Sequence, residues 1–250
     1  MTDQTGALGN GDAPENEGSI RTQTVEVEAD ADAHAGDGNL RAVERFGVIL
    51  VAAGSGERFG KPKALVELDG VALIQHSANA FASIPHRVAV VREADGITLD
   101  GWTLVGGGAR RRDSVANGLA ALPPEVNSVL IHDAARPLVD ADLVLRTIVA
   151  SRVHNAVVPA IPVTDTIKQV ADGIVRQTLD RSSLVAVQTP QAFRRELLER
   201  ALASSPEDAT DEAGLVEALG EPVHVIPGSS RNLKITVPED LFVAETLRRF

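Results

Sequence analysis

From residue 47 onward, short apolar runs alternate with helical patterns, and this alternation leaves few architectures open to the chain. The runs expected as strands are Val48–Ala53, Arg87–Val91, Trp102–Val105, Ser128–His132, Ala156–Ala160, Leu184–Gln188, Val223–Ile226 and Leu233–Thr236. Helices are expected between them, at about 71–82, 112–121, 140–151, 194–203, 211–219 and 239–249. Asp140 is placed to cap one of them, and Pro238 takes a first-turn position with Glu239 and Asp240 behind it. The expectation is an α/β fold with a mostly parallel central sheet covered by helices on both faces. In such folds ligands sit beyond the carboxyl ends of the strands, so the residues just after each strand are the candidates for function.

One segment departs from this pattern. "TDTIKQVADGIVRQTLDR", 164–181, alternates apolar and polar residues on both sides of Asp172-Gly173, a dipeptide suited to a tight hairpin turn. A two-stranded ribbon is marginal alone in water. The expectation is an arm that packs on a second subunit.

The chain has 250 residues, 44% of them hydrophobic, enough for one α/β domain with a full core. No apolar run approaches the ~20 residues that a membrane-crossing helix needs. The polar, acidic start does not resemble a signal peptide, so a cytoplasmic location is expected. With no cysteine there is no disulfide, thiolate nucleophile or cysteine metal site. The net charge of −11 is unevenly spread: residues 1–40 hold nine acidic side chains against Arg21 alone, leaving −3 on the rest. Residues 1–45 are therefore expected as a disordered acidic tail, and 46–250 as the folded domain. That domain is near neutral, and with 3% aromatic residues in the chain it offers neither the basic stripes nor the stacking platforms of a nucleic-acid surface.

The first strand runs into "AAGSGERFGKPKAL", where Gly54, Ser55 and Gly56 allow a tight turn and Arg58, Lys61 and Lys63 follow. Small residues and cations after a buried strand suit a phosphate. The loop is not a Walker A sequence, because Ser55 stands at the first glycine position and Pro62 at the hydroxyl position. Nor is it a dinucleotide fingerprint, because Phe59 stands at the third glycine. The competing reading is a surface loop with incidental charges.

Other strand ends carry matching chemistry. "VGGGARRRDSV" offers glycines for close approach and Ser114 as a hydrogen-bonding group; a plain turn before a helix with a basic first turn is the alternative. "IHDAARP" places Asp133 and Arg136 at the end of a buried strand, which is costly unless they are solvated, paired or bound to a ligand. Asp133 suits a ribose hydroxyl or a magnesium-bound water, and Arg136 an anion or the loop itself; a purely structural Asp133–Arg136 pair is the alternative. "QTPQAF", "TDEA" and "NLKIT" bring Thr189, Thr210 and Lys234 to similar positions. The six histidines show no metal-ligand spacing, and His132 is expected as a strand-end histidine with its hydrogen bonds satisfied.

The ordered set "VAAGSGERFGKPKAL", "GGGARRRDSV", "HDAARP", "PVTDTIK", "DRSSLVAVQTPQAF", "TDEA" and "NLKITVPEDL" resembles the 2-C-methyl-D-erythritol 4-phosphate cytidylyltransferases of the non-mevalonate isoprenoid pathway. The resemblance covers about 47–250. It implies a Rossmann-like sugar-nucleotidyltransferase fold, a homodimer joined through the arm, and transfer of CMP from CTP to methylerythritol phosphate with release of pyrophosphate. Magnesium is implied as the cofactor, held mainly by the CTP phosphates near Asp133. By the same resemblance Arg58 and Lys63 stabilise the transition state, while Arg181 and Lys234 position the acceptor phosphate. CTP would contact Ala52, Ala53, Gly54, Gly56, Gly108, Ser114 and Asp133, and the acceptor would contact Asp133, Arg136, Thr166, Thr189 and Thr210. Relatives often have Gln where Ala64 stands and fewer arginines than the run Arg110–Arg112, and bifunctional relatives carry a cyclase domain, which is not expected within these 250 residues. The nearest rival is a ribitol 5-phosphate cytidylyltransferase, whose members tend to carry a serine in the segment where this chain has Ala134-Ala135. A non-catalytic nucleotide-binding module is a further alternative, opposed by the joint presence of Arg58, Lys63, Arg181 and Lys234.

Overall fold

The structure is a computed structural model and describes residues 45–54, 56–204 and 210–249. Apart from Arg45, the stretch expected as an acidic tail lies outside the described residues. The strands are β1 (Phe46–Val51), β2 (Glu67–Leu68), β3 (Val71–Ala72), β4 (His86–Val91), β5 (Thr103–Gly106), β6 (Ser128–Asp133), β7 (Ala156–Pro162), β8 (Lys168–Ala171), β9 (Ile174–Thr178), β10 (Val185–Val187), β11 (Gln191–Arg194) and β12 (His224–Pro227). The helices are α1 (Leu73–Asn79), α2 (Arg111–Ala121), α3 (Ala141–Ser151), α4 (Arg195–Ser204), α5 (Glu212–Ala218) and α6 (Glu239–Arg248).

Eight strands form one sheet in the order β10-β7-β11-β6-β1-β4-β5, with β12 on the other side of β7. β1 lies between β4 and β6, parallel to both, and β4 is parallel to β5. The chain thus reverses its direction of travel across the sheet at β1. That switch point opens a crevice at the carboxyl ends of β1 and β6.

Alternate residues of the central strands face opposite layers. Ile49, Val90, Val129 and Ile131 pack against Val115 and Leu119 of α2, Leu197 and Leu198 of α4, and Leu215 and Val216 of α5. Val48 and Leu130 pack on the other face with Leu143, Val144 and Ile148 of α3. Burying each such side chain stabilises the fold by about 1.5–3 kcal/mol. Gly118 shows how closely α2 sits: a Cβ there would meet Ile49 Cγ2 at 2.6 Å. A helix-interior glycine costs about 1 kcal/mol relative to alanine, and here the close approach explains it.

The alternation of strand and helix is as expected, with two differences. Leu233–Thr236 is not a strand; it is tied down by a bond from Ile235 N to Ala135 O (2.8 Å), and its apolar alternation reflects Leu233 and Ile235 packing into a satellite cluster. Conversely, β11 lies antiparallel between β6 and β7, where no strand was expected. Four residues beginning with a glutamine carry little strand signal, and the pairing is set by the neighbours.

The ribbon is present and somewhat shorter than 164–181: β8 and β9 pair antiparallel around Asp172 (φ 53°) and Gly173 (φ 73°). Positive φ at both central residues is the turn that an Asp-Gly pair permits. Val170, Ile174 and Val175 are 55, 58 and 56% exposed, so the ribbon leaves apolar side chains uncovered within this chain.

Candidate active site

A cavity of about 470 Å³ opens at the switch point, lined by Ala52, Ala53 and Gly54 after β1, by Gly108 to Arg111 and Ser114 at the start of α2, by Asp133 to Ala135 after β6, and by Lys63 and Lys234. The loop after β1 curls back through Gly56 (φ +67°), where a Cβ would lie 2.3 Å from Lys61 O and 2.6 Å from Lys63 N. Only glycine allows that return, which brings Lys63 to the cavity while Gly56 itself stays behind the lining. Arg58 is exposed in the short 3-10 turn Glu57–Phe59, and its charge reaches Lys63.

Gly108 N donates to Ser114 Oγ (3.0 Å), and that hydroxyl donates to Arg110 O (3.2 Å). Asp113 caps the first turn of α2, its carboxylate accepting from Arg110 N (3.1 Å) and from the Arg110 guanidinium (3.0 and 2.9 Å). The glycine segment is thereby shaped before any ligand arrives.

Asp133 is the centre of the site. Lys234 Nζ donates to its Oδ2 (2.7 Å) and Arg111 Nη2 to its Oδ1 (3.0 Å). Burial opposes ionisation of this carboxyl, but the charges of Arg111 and Lys234 outweigh it and hold its pKa well below the usual carboxylate range. Arg111 in turn donates Nη1 to both carboxylate oxygens of Glu212, at the start of α5. Burial works against the charge on Arg111, while Glu212 and Asp133 keep it firmly protonated. Lys63 is held below its ordinary pKa by burial and by the nearby charges of Lys234 and Arg58, with Asp133 and Asp240 opposing. Several cations crowded on one cavity with a single lining carboxylate form a seat for a polyanion.

Two of the expected contact residues, Thr189 and Arg136, are engaged as supports around the end of β6. Asp133 N donates to Thr189 Oγ1 (3.2 Å), and Thr189 Oγ1 lies 2.9 Å from His132 Nδ1. His132 Nε2 meets Arg136 O (3.2 Å); a carbonyl only accepts, so Nε2 carries the proton and Nδ1 accepts from the threonine hydroxyl. The histidine has its hydrogen bonds satisfied, as the strand-end reading anticipated. Arg136 is not paired with Asp133: its guanidinium donates to Asn232 O (2.8 Å) and Val187 O (3.3 Å) and fixes the loop. Thr166, Thr210 and Arg181 are exposed and do not line the cavity; Arg181 donates to Thr164 O (2.5 Å) at the foot of the ribbon.

Arg111 and Glu212 were not singled out by sequence. A signal for Arg111 did exist: a cation in the first turn of a helix opposes the helix dipole and calls for an anionic neighbour. Glu212 had no comparable sign, because its partner lies 101 residues away.

Burial pushes His132 down to about 4, so it is neutral when folded at neutral pH. Unfolded, it takes up a proton near its ordinary pKa of about 6.5, so the unfolded state binds more protons between about 6.5 and 4. Stability is therefore expected to fall across that window as pH drops, by up to about 3 kcal/mol. Asp133, with its depressed pKa, adds its loss only below the ordinary carboxylate range. Thermal unfolding from pH 7.5 to 4.5 should show a shallower decline for His132→Gln than for the parent; equal slopes would place the effect elsewhere, for instance at His154, which stacks on His224.

A doubly wound sheet with a polyanion seat at its switch point defines an α/β protein built to bind a nucleotide or a similar phosphorylated ligand. Comparison with known proteins narrows this. The family described as IspD, 2-C-methyl-D-erythritol 4-phosphate cytidylyltransferase, matches residues 46–249, and the chain belongs to it. It is 43% identical over 220 residues to the 2-C-methyl-D-erythritol 4-phosphate cytidylyltransferase of Frankia casuarinae, with 82% of each chain covered. It is 44% identical over 220 residues to the bifunctional enzyme IspD/IspF of Nitratidesulfovibrio vulgaris, covering 78% of this chain and 56% of that one. The chain thus spans about half the length of the bifunctional relatives it matches. Among solved structures, the 2-C-methyl-D-erythritol 4-phosphate cytidylyltransferase of Thermus thermophilus superposes with a TM-score of 0.72 at 35% identity, covering 82% of this chain and 98% of that one.

Proposed function

We propose that the chain transfers CMP from CTP to 2-C-methyl-D-erythritol 4-phosphate, giving 4-diphosphocytidyl-2-C-methyl-D-erythritol and pyrophosphate. The observation that carries this reading is Asp133, placed between Lys234 and Arg111 on a cavity that Lys63 also lines. The acceptor's phosphate oxygen attacks the α-phosphorus of CTP in line, a P–O bond forms, and the bond to the β-phosphate oxygen breaks as pyrophosphate leaves. A phosphomonoester with a second pKa near ~6 is mostly dianionic at pH 7, so no general base is required. The chemical difficulty is to bring two anions together and to stabilise the charge gathering on the α-phosphate. Lys63 and Arg58 are suited to the triphosphate, and Lys234 to the acceptor phosphate, which competes with Asp133 for its ammonium group. The short glycine-framed wall from Gly108 to Ser114 suits a pyrimidine.

Among the described residues no three His, Asp or Glu side chains stand together as a ready metal cage. Asp133 keeps free lone pairs beside its two cations, and one carboxylate plus substrate phosphates is a usual way to hold magnesium. Asp133 would hold the ion with the CTP phosphates, and the bound ion would supply charge neutralisation. The exposed valines and isoleucine of β8 and β9 support a homodimer built on the ribbon, with Arg181 at its foot reaching the partner's cavity. No helix among the described residues is long and apolar enough to cross a membrane, and the proposed substrates are soluble, so the reading includes a cytoplasmic enzyme.

Pyrophosphate release tests the nucleotide assignment. With methylerythritol phosphate as acceptor, CTP is expected to be strongly preferred over UTP, because a site built to hydrogen-bond one base edge rejects an analogue lacking the match. Equal turnover of the two would overturn the assignment.

A further inference from the structure

Glu212 is 1% exposed, and a carboxylate is almost never buried so fully unless it is paired. Its partner Arg111 is the same side chain that holds Asp133, so Glu212, Arg111, Asp133 and Lys234 form one row of alternating charge. The row runs from the closed interior to the open cavity: side-chain exposure is 1% at Glu212, 27% at Arg111, 12% at Asp133 and 44% at Lys234. Only the Lys234 end is free to change partners.

We propose that Glu212 is a positioning residue for the transfer, holding Arg111 from behind so that Asp133 stays in place when Lys234 leaves it for the acceptor phosphate. The inference rests on reading the site as a CMP-transfer site. Its physical basis is a choice between two cations. Arg111 and Lys234 both line the cavity, and the guanidinium fork is the better geometric match to a phosphate. Left to itself, Arg111 would swing to the phosphate, Asp133 would lose both cations, and the acceptor would be gripped from the wrong side. Glu212 takes one edge of the fork and leaves Nη2 for Asp133, so that Arg111 is already committed. Lys234, with a single bond to Asp133 and a flexible stem, becomes the cation that moves. The bland alternative is an ion pair that only ties the start of α2 to the start of α5.

The test compares the full-length wild type with Glu212→Gln, Arg111→Lys and the double variant, measuring pyrophosphate release and thermal stability. An inactive wild type would refute the functional reading itself; an active one makes the variants decisive. Glu212→Gln keeps the shape and one acceptor but removes the charge. It is expected to lower kcat about 10- to 100-fold, the scale of a misplaced reacting group, with KM for CTP within a few-fold. Arg111→Lys, which keeps the charge and loses the fork, should show a similar loss. The double variant should be no worse than the poorer single one, because the pair acts as a unit. Wild-type kcat in either single variant, with only the melting temperature reduced, would leave the pair a structural tie and overturn the proposal. Should Glu212→Gln fail to fold, Arg111→Lys decides by the same criterion.

Discussion

Replacing Lys63 by alanine is expected to lower kcat by on the order of 10²-fold or more, with a much smaller change in KM for CTP. The reason lies in where the lysine is held. Burial, Lys234 and Arg58 disfavour its charge and outweigh Asp133 and Asp240, which favour it. A cation kept among cations is poorly stabilised in the empty site and becomes well placed only as negative charge builds up before it. For the effect to fall on kcat, that gain must be greater at the transition state than with bound CTP, which is what the variant measures. The same crowding makes a second outcome part of the prediction: Lys63→Ala should melt no lower than the parent, since the charge contributes little to stability. Arg58→Ala is expected to act in the same direction. A rise in KM for CTP with kcat intact would reduce either residue to a ground-state anchor.

Arg181 gives the other large effect. With the proposed homodimer, Arg181→Ala and Lys63→Ala dimers are each expected to be nearly inactive, and co-refolded mixtures of the two to recover about a quarter of wild-type activity. The figure follows from exchange symmetry: half the dimers are mixed, and one of their two sites keeps both an intact Lys63 and an intact Arg181 from the partner. The structural motive is that Arg181 does not line the cavity of its own chain but sits exposed at the foot of the ribbon, bonded to Thr164 O. The apolar side chains of the ribbon, Val170, Ile174 and Val175, also lack cover within the chain. An arginine there would deliver a bidentate phosphate grip across the interface. A mixture as inactive as its parents, after demonstrated subunit exchange, would return Arg181 to its own subunit.

The sheet was legible because its signal is local. A run such as "FGVILV" is buried on both faces wherever it is placed, and the turns and helix starts around it carry their own markers, Asp140 capping α3 through Leu143 N among them. Asp133 was legible for a related reason, since a carboxylate ending a buried strand needs a partner. What could not be read was which partner. Arg136, three residues on, was the natural candidate, yet its guanidinium turns to Asn232 O and Val187 O while Arg111 and Lys234 arrive from distant segments. Thr189 could be placed near the right atoms, but its bonds to Asp133 N and His132 could not be read from the sequence. β11 stayed hidden because four residues after a proline have no periodicity to show, and its pairing is decided by β6 and β7. Ion pairs across long sequence separations are tertiary facts, and a single chain of letters carries them only as isolated charges awaiting a neighbour.

The most direct test of the account follows atoms from acceptor to product. The full-length chain is given unlabelled CTP and 2-C-methyl-D-erythritol 4-phosphate whose phosphate carries ¹⁸O, with ribitol 5-phosphate labelled in the same way in parallel, and the products are weighed by mass spectrometry. The account predicts that methylerythritol phosphate is the preferred acceptor, that all its label stays in the cytidine diphosphate product, and that the pyrophosphate released is unlabelled and equal in amount to that product. Labelled pyrophosphate, pyrophosphate released without acceptor at the same rate, or a preference for ribitol phosphate would contradict it.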